Sequence, residues 1–312
     1  MGPTDAAADR LEFVLAGQRQ ADHYLSPIAD PSAKSVLVVG CGAGTDVLWC
    51  LRRGACEVVG IDVVEQDRAA LEAAAGRFGV DAGRAELARW PAERAGELGR
   101  RFDLVLANNV FEHVGDLPAA FAGCAAAVTP GAGRVAVFSS PLWLSSGGSH
   151  LPHAPWEHLW AEPGDLRRRL LSSGRLAPGH PLERLDLAAY LDREITLNRA
   201  RVADWLAAVA ASGLAVLHLQ ALADERLAEL PAAVARMRAA GIEPPPAFDL
   251  SAAGIALELA LPPSSPDPAF APPSTSDLLR AAEREAIAGS LSFRLGRALT
   301  APARRLRDLL RR

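Results

Sequence analysis

The sequence predicts an α/β fold in which five parallel strands, completed by a late antiparallel pair, are wound with helices on both faces. Three observations predict it. From residue 35 to residue 138, short apolar runs alternate with helix-length stretches. A strand, a glycine turn and a helix open that series. An acid then ends the second strand, roughly twenty residues further on, as in nucleotide-binding βαβ units.

The elements follow in order. Residues 5–24 read as an amphipathic helix with Leu11, Val14 and Leu15 on one face, broken by Ser26-Pro27 and Asp30-Pro31. Strands are expected at Ser35–Val39, Glu57–Ile61, Arg84–Leu87, Phe102–Ala107 and Arg134–Phe138, and helices at 44–53, 66–77 and 116–127. Right-handed crossovers place those helices on both faces. Residues 139–165 lose all period and are rich in Ser, Gly, Pro, His and Trp, which reads as a functional lid. A helix near 198–212, a strand Leu214–Leu219, a helical arm at 222–240 and a strand Ile255–Leu261 complete the domain. Six prolines between Pro262 and Pro273 form a linker, and 276–312 reads as a helical tail. The domain limits expected are a helical cap at 1–34, a core at 35–261 with insertions at 139–197 and 222–250, the linker at 262–275, and the tail.

Composition narrows the function class. Half of the 312 residues are hydrophobic and only 5% aromatic, so the core is built from Ala, Leu and Val. No apolar run reaches the ~18 residues of a membrane span, and Met1–Arg10 lacks a signal-peptide core, which leads us to expect a cytoplasmic protein. Cys41, Cys50, Cys56 and Cys124 show no CxxC pairing, against a disulfide framework or a zinc knuckle. The net charge of −4 carries no overall basic signature for nucleic acid. From Arg294 onward, seven Arg stand against one Asp; that +6, set against −4 overall, leaves −10 before it.

The sharpest motif is Val36-Leu37-Val38-Val39-Gly40-Cys41-Gly42-Ala43-Gly44-Thr45. An apolar strand runs into a glycine turn that lets backbone approach a ligand, and the following helix N-terminus offers N–H groups to an anion. Val58-Val59-Gly60-Ile61-Asp62 then places a carboxylate where it can accept both ribose hydroxyls. A dinucleotide fingerprint, G-x-G-x-x-G, needs glycine at position 45, which is Thr45.

The spacing G-x-G-x-G resembles motif I of the class I methyltransferases that use S-adenosylmethionine (SAM). Phe102-Asp103-Leu104-Val105 with Asn108-Asn109-Val110-Phe111-Glu112-His113-Val114 resembles that family's fourth-strand motif, and Pro130-Gly131-Ala132-Gly133 its turn before the fifth strand. The resemblance covers about residues 35–140. It implies a Rossmann-like, seven-stranded sheet, SAM as methyl donor and S-adenosylhomocysteine (SAH) as product. It places Val39, Gly40, Cys41, Gly42 and Gly44 at the methionine part of SAM, Asp62 on the ribose and Val63 against adenine. Arg89 or Trp90 would flank adenine, and Asn108 would sit near the amino group. The third-strand region lacks the acidic residue usual beside adenine in this family.

Methyl transfer aligns an acceptor nucleophile with an already activated donor and excludes water. A hydroxyl acceptor gains from a base of near-neutral pKa, for which histidine is suited. His113 follows the fourth strand. Quinone-pathway O-methyltransferases resemble this segment and carry a Glu-x-x-Glu-His set able to hold a metal; here the first Glu is Asn109, and no metal is expected. His150, His153 and His158 lie with Trp156 and Trp160 in Ser149–Trp160, which resembles a segment of bacterial methyltransferases of unassigned substrate. Tyr190, Leu197-Asn198-Arg199 and Trp205 continue that likeness. This loop reads as an acceptor lid, its histidines candidate bases and its tryptophans walls.

The end, Leu291 to Arg312, alternates leucines with arginines around Pro302. Such a segment can lie on an anionic membrane face or dock on a partner. It resembles endings of bacterial surface-glycan enzymes, which implies a glycan or lipid-linked sugar acceptor. The expected function is SAM-dependent methylation of a small-molecule or glycan acceptor, at oxygen and assisted by histidine. The alternatives are an NAD(P)-dependent oxidoreductase or sugar-nucleotide enzyme, disfavoured by Thr45 and the absence of Tyr-x-x-x-Lys, and a catalytically silent scaffold of the same fold.

Overall fold

A computed structural model describes residues 3–151, 153–173, 197–263, 265, 267 and 270–285. Seven strands form one mixed sheet: β1 (Ser35–Val39), β2 (Glu57–Asp62), β3 (Ala85–Arg89), β4 (Leu104–Asn108), β5 (Arg134–Ser139), β6 (Ala215–Ala223) and β7 (Ala252–Ala260). Their spatial order is β3-β2-β1-β4-β5-β7-β6. Pairing from β3 through β5 is parallel, with Val36 opposite both Val58 and Leu104, and Leu104 opposite Arg134. The order reverses between β1 and β4, and a ligand crevice is expected outside the strand ends at such a switch point. Strands flanked on both faces read as apolar runs, and Val36–Val39 and Leu104–Ala107 are accordingly buried throughout.

The helices are α1 (Pro3–Leu25), α2 (Thr45–Arg52), α3 (Arg68–Phe78), α4 (Leu117–Ala127), α5 (Pro163–Ser173), α6 (Val202–Ala211), α7 (Leu230–Ala239) and α8 (Ala247–Ser251). Asp67 caps α3 by accepting from Ala70 N–H, and Asp116 caps α4 by accepting from Ala119 N–H, both at 3.0 Å. No side chain caps α2; its N-cap is Gly44 in the left-handed region.

Several elements differ from expectation. Asp81 caps a 3-10 turn at Ala82–Arg84, which delays β3 to Ala85. Phe102 makes only an isolated bridge to Val128, so β4 begins at Leu104. The arm at 222–240 divides into the end of β6, a 3-10 turn at Leu227–Glu229 and α7, which opens with Pro231 in its first turn. The expectations at Tyr190 and at 286–312 fall outside the described residues; 275–285 are helical.

The chain divides into two compact units. The first comprises Met1–Ser139, Val202–Leu219 and Ala256–Thr275. In it Gln18 of α1 donates to Thr45 O at 2.9 Å and accepts from Arg52 at 3.0 Å, tying α1 to both ends of α2. On another face, Phe111, Phe121 and Trp205 pack edge to face, with Phe111 and Phe121 centroids 4.9 Å apart.

The second unit comprises Ser140–Arg201, Gln220–Ile255 and Ser276–Arg312. Its core is Trp156, Ala233, Met237 and Leu250, with Leu159, Trp160, Leu230, Val234 and Ile242 packed around them. Buried Asp224 accepts from Ser146 N–H at 2.7 Å, Ser146 Oγ at 2.9 Å and Arg226 N–H at 2.8 Å, which pins the 140–150 loop to the arm. Among the described residues no helix is long and apolar enough to cross a membrane.

Candidate cofactor cleft

A cleft of about 380 Å³ opens at the carboxyl ends of β1, β2 and β4, lined by residues that include Val39, Gly40, Asp62, Val63, Trp90 and His113. That volume suits a small organic ligand.

Gly40, which opens the glycine loop, lines the cleft. Gly40 and Cys41 donate their N–H groups to Ile61 O at 2.7 and 3.0 Å, which fastens the end of β1 to β2. Gly40 has φ +68°, and a Cβ there would stand 2.2 Å from the Val110 side chain. Only glycine lets the loops after β1 and β4 come so close. Gly42, at φ +49°, has open space where a side chain would project.

Asp62 is fixed at both oxygens. Gly42 N–H donates to Oδ2 at 2.8 Å and Val64 N–H to Oδ1 at 3.0 Å. A carboxylate has about four lone-pair sites, so each oxygen keeps acceptor capacity for a diol. Next to it, Val63 is 61% and Val64 57% exposed, unusual for valines beside a buried sheet, and Val63 lines the cleft. Trp90 supplies a further aromatic wall. Its Nε1–H donates to Arg94 O at 2.8 Å and the Arg94 guanidinium lies 4.7 Å over its ring, so its plane is held.

These features fit SAM: acceptors for ribose hydroxyls, apolar surface for adenine, and an uncapped helix N-terminus with a close-approach glycine loop for the methionine end. When bound there, SAM supplies a methyl group on a positively charged sulfur.

Other expected residues stand behind the cleft wall. Arg89 Nε–H donates to Val63 O at 2.9 Å, bracing the loop. Asn108 Nδ2–H donates to Asp46 Oδ1 at 3.0 Å, while its Oδ1 is buried without a partner among the described residues. The neighbouring Asn109, at φ +53°, lines the cleft instead. Burial raises the Asp46 carboxyl to about 6 and Cys41 to about 12, so Cys41 stays a thiol. Ala92, Glu93, Val114 and Gly115 also line the cleft and escaped sequence reasoning; a 3-10 segment, Ala92–Leu98, carries the first two and has no periodic pattern to reveal it.

His113 ends the 3-10 turn Phe111–His113, exposed at the cleft. Its neighbour Glu112 is 1% exposed and accepts from Ser139 Oγ at 2.8 Å, tying the turn to β5; burial pushes its carboxyl to about 7.

The other candidate bases, His150, His153 and His158, belong to the second unit. His158 Nε2–H donates to Trp143 O at 2.7 Å, its ring lies edge-on to Trp143 at 4.9 Å, and burial lowers it to about 4. The structure places it as a packing residue against Trp143. His153 Nδ1–H donates to Ala154 O at 2.6 Å, so its Nε2 accepts from Ser149 Oγ–H; burial lowers its pKa also. His150 takes a left-handed backbone, φ +57°, with its N–H on Gly147 O. Trp156, expected as an acceptor wall, is wholly buried and donates Nε1–H to Leu250 O at 3.2 Å. It serves as core because the arm folds over it.

Comparison with known proteins bears on the first unit. Residues 37–133 match a family model described as a methyltransferase domain. No curated protein matches. Similar solved structures include an S-adenosylmethionine dependent methyltransferase from Mesorhizobium loti, at 17% identity over 75% of this chain and 94% of that one, TM-score 0.45. An O-methyltransferase family protein from Burkholderia thailandensis matches at 15% over 84% and 61%, TM-score 0.49. Geranyl diphosphate C-methyltransferase from Streptomyces coelicolor A3(2) matches at 14% over 78% and 77%, TM-score 0.46. The match at residues 37–133 encloses the glycine loop, Asp62 and His113, so this stretch of the chain is similar to a methyltransferase domain, and SAM is the cofactor the findings support.

Proposed function

We propose that this enzyme methylates a hydroxyl group of a small-molecule or glycan acceptor, with His113 taking the proton. The observation that carries the reading is that His113 lines the same cleft as Gly40 and Asp62. In the reaction the acceptor oxygen forms a bond to the methyl carbon as the carbon–sulfur bond breaks, and the O–H proton passes to an imidazole nitrogen. Glu112, anchored on Ser139, positions the turn that presents His113. The walls of the cleft, Trp90 and Val63, hold the donor and exclude water on its adenine side. A cytoplasmic setting, with the arginine-rich end against an anionic membrane face, belongs to the same proposal and rests on charge pattern alone.

The test is isotope-labelled methyl transfer from SAM across matched hydroxyl and amine acceptors, with His113→Gln alongside. Hydroxyl products, and turnover lowered ~10²–10⁴-fold in the variant with SAH affinity unchanged, support the reading. Amine products, or full turnover in the variant, contradict it.

A further inference from the structure

The second unit carries a groove of its own, of about 430 Å³. One wall is helical: Glu229, Ala232, Ala233 and Arg236 recur at helical spacing on one side of the 3-10 turn and α7. His153–Pro155 and Trp160 form the other. Both walls are anchored from behind, since Ala233 and Met237 pack on Trp156 and Trp160 leans on the same cluster. The groove is therefore preformed.

Its charges do not balance. Arg226 is matched by Glu229, Nε to Oε1 at 2.5 Å. His153 has both ring nitrogens engaged, with Ser149 and Ala154, in its neutral tautomer. Arg236 has no carboxylate within ion-pair distance among the described residues; its guanidinium lies 6.0 Å from the Trp160 ring centroid. One guanidinium thus remains for a ligand, beside an aromatic face. Guanidinium is a planar, forked donor suited to oxyanions, and an indole face packs against the C–H surface of a ring.

We infer that this groove is a binding site for a soluble sugar phosphate or a similar ring bearing a phosphate ester, with the phosphate on Arg236 and the ring against Trp160. Its lining shares no residue with the donor cleft, and the inference does not depend on the assignment of His113.

The experiment is calorimetric titration of the whole chain with glucose 1-phosphate, beside glucose and inorganic phosphate, in wild type and in Arg236→Gln. Arg236 is exposed, so the variant should fold, and SAH titration of the same samples verifies that. We expect saturable binding of glucose 1-phosphate, weaker binding of either fragment, and affinity reduced tenfold or more in the variant with SAH binding unchanged. Equal affinity in wild type and variant would overturn the inference. So would absence of glucose 1-phosphate binding, including the case where only inorganic phosphate binds.

Discussion

The backbone N–H of Gly42 donates to Asp62 Oδ2 at 2.8 Å, so the glycine loop after β1 and the acid ending β2 hold each other in place. Each is therefore a determinant of the other's geometry. Asp62→Asn preserves shape but replaces one acceptor oxygen with an NH₂ donor facing either Gly42 N–H or Val64 N–H. Hydrogen bonds to charged groups contribute about 1.5–3 kcal/mol each, so SAH affinity should fall by about 10–150-fold, measured by calorimetry.

Gly40→Ala should destabilise the fold by more than Gly42→Ala. Both positions have positive φ, but only at Gly40 would a Cβ meet another side chain, Val110 at 2.2 Å. Overpacking adds about 1–3 kcal/mol to the backbone strain. Denaturant midpoints of the two variants should differ in that order; equal midpoints would contradict the close approach of the two loops.

The first unit contains carboxyls whose folded-state pKa is raised by burial: Glu112 to about 7 and Asp46 to about 6. The folded state therefore binds these protons more tightly than the unfolded state, and stability is lost as pH rises from the ordinary carboxyl range through pH 7. Glu112→Gln removes one such loss. Its stability relative to wild type should improve between pH 5 and pH 8 by about 1–3 kcal/mol, as read from urea midpoints across that range. A constant difference would place Glu112 ionised in the fold at all these pH values.

How far this was legible in the sequence follows from how local each feature is. Gly40, Gly42 and Asp62 sit at fixed short spacings on one βαβ unit, and the sheet from β1 to β5 follows from the apolar runs. Ala92 and Glu93 were harder, since their cleft wall is a 3-10 segment without period. The histidine- and tryptophan-rich loop shows the limit most clearly. Trp156 packs on Ala233, Met237 and Leu250, which lie more than seventy residues away in sequence, and no local pattern distinguishes such a core aromatic from a wall of a binding site.

That core assignment has a direct consequence. Trp156→Ala should destabilise by about 3–5 kcal/mol, the range for removing a buried large aromatic, and should add exposed apolar surface detectable by dye binding. His158 acts in the opposite pH direction to Glu112. Its folded pKa of about 4 lies below the ordinary 6.5, so the unfolded state binds the proton more tightly and stability is lost as pH falls from 6.5 towards 4. His158→Phe should flatten that acid limb of the stability curve.

The most direct measurement is calorimetric titration of the wild-type chain with SAH, beside NADP⁺ and an Asp62→Ala variant. We expect micromolar binding of SAH to wild type, loss of most of that affinity in the variant, and no binding of NADP⁺. Binding of NADP⁺ in place of SAH, or SAH binding indifferent to Asp62, would contradict it.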